Sequence, residues 1–192
     1  MEILHLLLQI DQQLFLWLNT HVHTPWLDTF FVVLTTKENW VLPLLIVAGI
    51  FGFRRRQEAF WIMVVLIMGV AMADQLSSGI LKPWVERLRP CKTLEGFRLL
   101  IPCGGRWSFP SSHAANAAAV ATVLWWYAPR WRVGWVILAG LIGYSRIYVG
   151  VHFPFDVLGG WMVGGFAGIV TIYLARWGLT QFNIQVKTKE SQ

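Results

Sequence analysis

Three short segments of this sequence concentrate the residue types that catalysis commonly uses. They are KPWVERLRP at residues 82–90, FPSSH at 109–113 and SRIYVGVHFPFD at 145–156. The segments together contain two histidines, several cations and three serines, and Asp156 follows His152 by four positions. Cationic side chains gathered around imidazoles favour a site for an anionic reactant.

These residue types suit phosphoryl transfer, which requires positioning and charge stabilisation more than elaborate covalent chemistry. The imidazoles of His113 and His152 can divide the roles of nucleophile and general acid, because an ordinary histidine pKa of about 6.5 allows both protonation states near neutrality. Asp156 can fix the tautomer of a neighbouring imidazole. Ser111 and Ser112 open a predicted helix whose free N–H groups favour phosphate. The cations expected to bind phosphate oxygens are Lys82, Arg89 and Arg146.

A metal site is the competing explanation for histidine beside aspartate. The remaining histidines, His5, His21 and His23, lie in the N-terminal region, and no carboxylate follows the spacing of a zinc-binding helix. The predicted site is also rich in cations already. We therefore expect no metal ion and no other cofactor.

The composition predicts a membrane protein. Of the 192 residues, 56% are hydrophobic and only 14% are charged, against roughly 25% charged in soluble proteins. With 12 Trp and 12 Phe, the chain has more apolar surface than one small globule can bury. The same composition excludes disordered and low-complexity classes. The length allows one domain over residues 1–192.

Apolar runs predict an all-α integral membrane bundle of five or six transmembrane helices. The five clear runs are at about 41–53, 59–81, 114–128, 133–149 and 156–174. Residues 26–35 are too short to assign alone and are interpreted as a sixth span or part of one. Residues 1–20 are predicted to form an interfacial amphipathic helix, because Asp11, Gln12 and Gln13 interrupt the apolar pattern. Gly159, Gly160, Gly164, Gly165 and Gly168 predict close helix packing.

The distribution of basic residues predicts the orientation. If the five runs span, one side carries Arg54, Arg55, Arg56, Arg130, Arg132, Arg176, Lys187 and Lys189, together with the polar tail at 178–192. We assign that side to the cytoplasm. The loop at 82–112 then lies outside the cytoplasm, although it is basic as well. A basic outer loop indicates an anionic ligand, so the net charge of +6 is not interpreted as nucleic-acid binding.

Three motifs in these segments resemble the signatures of the type 2 phosphatidic acid phosphatase family. They read Lys82-x6-Arg89-Pro90, Pro110-Ser111-Ser112-His113 and Ser145-Arg146-x5-His152-x3-Asp156, in the family's order and at compatible intervals. The resemblance implies a metal-independent phosphatase acting on lipid phosphates or diphosphates at the outer leaflet. Many members of the family have Gly at the position of Ser112, and a side chain there narrows the pocket.

The resemblance also implies roles for individual residues. His152 attacks phosphorus and forms a phosphohistidine, and Asp156 orients it. His113 protonates the leaving oxygen and then activates water. The phosphate is held by Lys82, Arg89, Arg146, Ser111 and the backbone around Ser112.

Several other residues have predicted structural roles. Cys91 and Cys103 are candidates for a disulfide in an oxidising compartment. Asp74, inside a predicted span, is expected to make a buried structural hydrogen bond. Loop cations are expected to attract anionic head groups rather than to act in catalysis; they are Arg87, Lys92, Arg98 and Arg106.

The sequence therefore predicts a multi-pass lipid phosphatase of the cell inner membrane, with its active site facing the periplasm or exterior. Undecaprenyl diphosphate, phosphatidylglycerophosphate, phosphatidic acid and lipid A phosphate all fit, with a slight preference for the first. A lipid-phosphate transporter or scramblase, and a phosphotransferase, remain alternatives. The expected partners are the bilayer and its lipid substrate; neither nucleic acid nor an obligate protein partner is expected.

Overall fold

All the regular secondary structure in the described part of the chain is helical. The computed structural model describes residues 2–36, 38–40, 49 and 56–181. The α-helices are α1 (Glu2–Thr20), α2 (Pro25–Thr35), α3 (Arg56–Asp74), α4 (Lys82–Val85), α5 (Pro90–Thr93), α6 (Ser112–Tyr127), α7 (Arg132–Tyr148) and α8 (Pro154–Gln181). The all-α prediction is confirmed. The predicted span at 41–53, apart from Gly49, and the tail beyond residue 181 lie outside the described residues.

Helix α6 lies at the centre, packed against α8, α7 and α3. Its sequence is rich in alanine, and small side chains allow neighbouring backbones to approach closely. On α8, Gly160, Gly164 and Gly168 face α6; a Cβ at Gly164 would overlap the carbonyl of Ala115. Gly165 faces open space, so its predicted packing role is wrong.

Among the described residues, two helical stretches are long and apolar enough to cross a membrane, namely Gln57–Val85 and Pro154–Gly178. Helices α6 and α7, with 16 and 17 residues, coincide with the predicted spans at 114–128 and 133–149. Helix α2 is apolar but has only 11 residues. The number of spans stays a prediction.

Helix α1 docks on the bundle through one face, which includes two polar side chains. Asp11, Phe15 and Asn19 recur every four residues and are fully buried. The Asn19 amide donates to the carbonyls of Arg98, Ile147 and Tyr148, which anchors α1 at the end of α7. The rest of α1 exposes large apolar side chains, including Ile3, Leu4 and Leu6. The interfacial location of α1 stays a prediction.

The helix that precedes the predicted outer loop continues beyond the predicted boundary. A π-helical segment, Gln75–Leu81, joins α3 to α4, so Lys82 lies on a helix. The chain leaves this helix at Glu86, whose φ is 52°. The following loop contains α5 and is bridged by Cys91 and Cys103, whose Cα atoms are 6.3 Å apart.

Candidate active site

The three motif segments converge at one end of the bundle. Lys82 lies on α4, Arg89 precedes α5, Ser111 precedes α6 and Arg146 is in the last turn of α7. The backbone N–H of Ser111 donates to the carbonyl of Asp156 at 2.8 Å, which joins the start of α6 to the start of α8.

The turn between α7 and α8 buries His152 at the base of this site. The backbone N–H groups of Val151 and His152 both donate to the carbonyl of Arg146, at 3.1 and 3.2 Å. Gly150 makes the turn possible because its φ is 89° and a Cβ there would meet the carbonyl of Arg98. His152 is only 1% exposed as a result.

The hydrogen bonds of His152 indicate which ring nitrogen is reactive. Nη1 of Arg89 lies 3.2 Å from His152 Nε2. Since a guanidinium can only donate, Nε2 must present its lone pair and Nδ1 must carry the proton. Nδ1 faces Oδ2 of Asp156 at 3.5 Å and Oγ of Ser108 at 3.3 Å. If His152 has the predicted nucleophilic role, Nε2 is therefore the nitrogen that attacks.

Burial also keeps this imidazole neutral. Removal from solvent lowers the pKa of His152 to about 4, against the hydrogen bond and charge of Asp156, which raise it. The unprotonated ring is the form that a nucleophile requires at neutral pH.

Asp156 is fully buried and held at both carboxylate oxygens. Its Oδ2 accepts hydrogen bonds from the backbone N–H of Phe153, at 2.8 Å, and from the hydroxyl of Ser108. Its Oδ1 accepts from Nη1 of Arg87 at 2.8 Å. The guanidinium of Arg87 continues to Asp11, so this cation belongs to the site's interior. Its predicted role as a head-group attractant is wrong.

The cations around His152 are buried and have donors without partners. Arg89 and Arg146 are each 7% exposed, and the Nε of both arginines makes no hydrogen bond to a described residue. The buried hydroxyl of Ser111 likewise has no partner in the described part of the chain. Buried donors are usually satisfied in folded proteins, so several unsatisfied donors around one histidine indicate where an anion binds.

His113 belongs to the same electrostatic environment. It is the second residue of α6, where the helix N-terminus favours negative charge. The cations that act on its ring are Arg146, Lys82 and Arg89. The structure therefore brings both predicted catalytic histidines into one cationic environment.

Comparison with known proteins agrees with this geometry. Residues 58–179 match the PAP2 superfamily. The chain belongs to this family. A lipid A 4′-phosphatase of Porphyromonas gingivalis is 33% identical over 194 residues, which cover 89% of this chain and 77% of that protein. The predicted family resemblance is confirmed, and the chain is a phosphoric ester hydrolase of the PAP2 lipid phosphatases.

Two crystal structures share the PAP2 fold of this chain. Aquifex aeolicus LpxE superposes with a TM-score of 0.67 and 30% identity, covering 85% of this chain and 95% of that one. The transmembrane PAP2-type phosphatidylglycerolphosphate phosphatase from Bacillus subtilis gives 0.66 and 25% identity, covering 93% and 88% respectively.

Within this PAP2 site, Ser112 contacts the first motif through its side chain. Its hydroxyl accepts a hydrogen bond from Nζ of Lys82 at 2.5 Å and lies 2.8 Å from Oγ of Ser78. Ser78 in turn donates to Asp74 at 3.3 Å. Asp74 is hydrogen-bonded as predicted, but its side chain is exposed, so its predicted burial is wrong.

The remaining loop cations divide into two groups. Arg98 forms an ion pair with Asp28 of α2, which raises the pKa of the Arg98 guanidinium. Its predicted role as a head-group attractant is therefore wrong. Lys92 and Arg106 are exposed, and for them that role stays a prediction.

Three site residues were missed from the sequence: Asp11, Arg87 and Ser108. Ser108 directly precedes the FPSSH segment, so its position was a usable signal. Arg87 lies inside the first motif, but its partners are distant in sequence. The sequence signal for Asp11 was limited to its being a carboxylate within a predicted apolar helix.

Proposed function

We propose that this PAP2 protein is a metal-independent phosphatase that hydrolyses a phosphomonoester or diphosphate of a membrane lipid through a phosphohistidine. The observation that carries the proposal is the buried His152, whose Nε2 presents its lone pair beside Arg89, at an end of the bundle where Nε of Arg89, Nε of Arg146 and the Ser111 hydroxyl have no hydrogen-bond partner among the described residues. Such donors supply the stabilisation that the equatorial oxygens of a transferring phosphoryl group need.

In the first step, Nε2 of His152 attacks phosphorus while the bond from phosphorus to the leaving oxygen breaks. His113 donates a proton to that oxygen, which leaves with the lipid. Asp156 and Ser108 stabilise the positive charge on the phosphorylated imidazole through its Nδ1–H.

In the second step, a water oxygen attacks phosphorus while the phosphorus–nitrogen bond breaks. The neutral His113 accepts the proton from water, and inorganic phosphate leaves. His152 returns to its starting tautomer. Lys82, Arg89 and Arg146 bind the oxygens in both steps, which is the charge stabilisation that a metal ion supplies in other phosphatases.

The distribution of charge supports an active site at the periplasmic or exterior face of the inner membrane. The catalytic residues gather at one end of the bundle. At the opposite end, Arg132 lies over the ring of Trp125 and Arg176 over that of Trp126, at 5.3 and 5.1 Å from the ring centroids. Arginine with tryptophan is typical of a membrane interface, and basic residues favour the cytoplasmic side.

A substrate panel under chelating conditions tests this proposal. Purified protein in detergent, with EDTA present, should release phosphate from at least one of undecaprenyl diphosphate, phosphatidylglycerophosphate, phosphatidic acid and lipid A phosphate. The variants His152→Ala and Arg146→Ala should each lose about 1,000-fold or more in kcat, because nucleophile and charge clamp act as a unit.

The matched control for Arg146→Ala is Lys92→Ala, which removes an exposed cation of the loop and should keep the wild-type rate. A strict requirement for a divalent ion, or full activity in His152→Ala, would contradict the mechanism. Analysis of the products separates hydrolysis from transfer to another hydroxyl group, since only hydrolysis releases all of the cleaved group as inorganic phosphate.

A further inference from the structure

We infer that Asp11 and Arg87 are positioning residues for the phosphohistidine chemistry, so that helix α1 completes the active site. This inference rests on the proposed function. Asp11 lies outside the three signature motifs, and Arg87 occupies one of the unspecified positions of the first motif. Both act on His152 through Asp156, and neither touches the reacting atoms in the described contacts.

Arg87 bridges two buried carboxylates. Its Nη1 donates to Oδ1 of Asp156 at 2.8 Å, and its Nη2 donates to Oδ2 of Asp11 at 2.6 Å. Both acids are 0% exposed. The guanidinium carbon also lies 4.3 Å from the centroid of the Phe153 ring, which fixes the plane of the bridge. Breaking a buried ion pair at one partner leaves an uncompensated charge, so the three groups depend on one another.

Asp11 and Asp156 also hold the backbone just after His152, where α8 begins. Asp11 accepts a hydrogen bond from the N–H of Phe155 at 2.9 Å. Asp156 accepts one from the N–H of Phe153 at 2.8 Å. The backbone that follows His152 is therefore held by Asp11 of α1 as well as by Asp156 of α8.

The ion pair with Arg87 determines which carboxylate oxygen of Asp156 faces His152. With Oδ1 of Asp156 bound to Arg87, Oδ2 is the oxygen that faces Ser108 and the imidazole Nδ1. Asp11 balances the charge of Arg87, so the three groups together keep one negative charge for the imidazolium that forms on phosphorylation. Without the charge of Asp11, Arg87 would neutralise Asp156 and the imidazolium would lose its counter-charge.

This arrangement predicts a selective effect on turnover. Asp11→Asn keeps the size of the side chain and removes its charge. We expect kcat to fall by about 10- to 100-fold, which is the usual effect of losing a residue that orients a functional side chain without contacting the substrate itself. KM should stay within about 2-fold, because Lys82, Arg89 and Arg146 are untouched. The assay measures kcat and KM on the lipid phosphate that the wild-type protein hydrolyses.

Two variants on the same helix provide matched controls. Asn19→Ala removes a buried polar side chain that docks α1 but does not contact Asp156. It should lower the thermal midpoint and leave kcat per folded molecule unchanged. Gln13→Ala, at an exposed position, should change neither quantity. If Asp11→Asn behaves like Asn19→Ala, Asp11 only docks the helix and the inference is overturned.

A double-mutant cycle tests whether Asp11 acts through Arg87. Arg87→Met should lower kcat at least as much as Asp11→Asn, and the double variant should be no slower than Arg87→Met alone. Losses that multiply fully would overturn the inference. If Asp11→Asn does not fold, Arg87→Lys is measured instead, because a lysine cannot bridge both carboxylates. This variant should lower kcat and leave KM unchanged. An unchanged kcat would overturn the inference.

The nucleophile variant separates failure of the inference from failure of the proposed function. If His152→Ala retains full activity, the proposed function is wrong. If His152→Ala is inactive while Asp11→Asn and Arg87→Lys keep the wild-type kcat, only the inference is wrong.

Discussion

The two histidines have separable tasks because they occupy different environments. His152 lies in a turn where Asp156 and Ser108 face Nδ1, while Nε2, the proposed attacking atom, lies beside Nη1 of Arg89. His113 lies at the start of α6, facing the same cations, where it can exchange a proton with the leaving group or with water. Removing His152 should therefore stop both steps, because no phosphoenzyme forms, whereas removing His113 should spare the first step when the leaving group needs no proton.

At this scale we predict that His113→Ala accumulates a phosphoenzyme with an aryl phosphate. The first step survives because p-nitrophenolate leaves without much protonation, whereas the second step lacks its base. Rapid quenching with ³²P-labelled p-nitrophenyl phosphate should trap a label on the protein that is stable in base and labile in acid. The control is His113→Ala/His152→Ala, which should carry no label. A label that persists in this double variant would show that His152 is not the nucleophile.

At the scale of elements, the contact between α6 and α8 positions the catalytic residues. Both helices begin at the active site, one with Ser112 and His113 and the other just before Asp156. Gly160 and Gly164 let the two backbones meet, and the bond from Ser111 to the carbonyl of Asp156 closes the junction. The distance between the two motif segments thus depends on residues that carry no chemistry.

Gly164→Ala should separate these helices. Its Cβ would overlap the backbone of Ala115, and inserting volume into a packed interior typically costs about 1–3 kcal/mol. We expect a lower thermal midpoint in detergent and a lower kcat. The matched control is Gly165→Ala on the same helix, where a Cβ meets no atom within 4 Å. Equal midpoints for the two variants would show that the close approach contributes little.

The sequence predicted those elements whose signals are local. Apolar runs and three short motifs were enough to place His113, His152 and Asp156 at helix ends on one side. The ion pairs of Arg87 with Asp11 and of Arg98 with Asp28 were not predictable, because a distant partner leaves no spacing pattern. The end of the helix at Val85 was missed as well, since the π-helical segment before it has no clear sequence signature.

At the scale of the whole molecule, the loop between α4 and α6, here called the roof loop, is held by contacts with several other elements. The pairing of Cys91 with Cys103 closes the loop on itself. Arg98 ties it to α2 through Asp28, and its backbone N–H and carbonyl both bond to Asn19 of α1. The N-terminal helices therefore support a loop that lies far along the chain. The loop and the parts of α1 and α2 that contact it must therefore lie on the same side of the membrane as the proposed substrate head group.

The orientation of that face can be tested with single cysteines at the two ends. Gly105→Cys and Arg130→Cys, each in a Cys91→Ser/Cys103→Ser background that retains activity, place a thiol in the roof loop and at the opposite end. Both positions are exposed, and a Cβ at Gly105 meets no atom within 4 Å. In spheroplasts, a membrane-impermeant maleimide should label Gly105→Cys directly.

Arg130→Cys should react only after lysis, because basic residues at helix ends are retained on the cytoplasmic side. The reverse pattern would place the active site in the cytoplasm. The outer-leaflet substrate would then be excluded even if the phosphatase chemistry at His152 is correct. Labelling of both thiols in intact spheroplasts would instead mean that the two ends share one side, which an odd number of spans between them cannot produce.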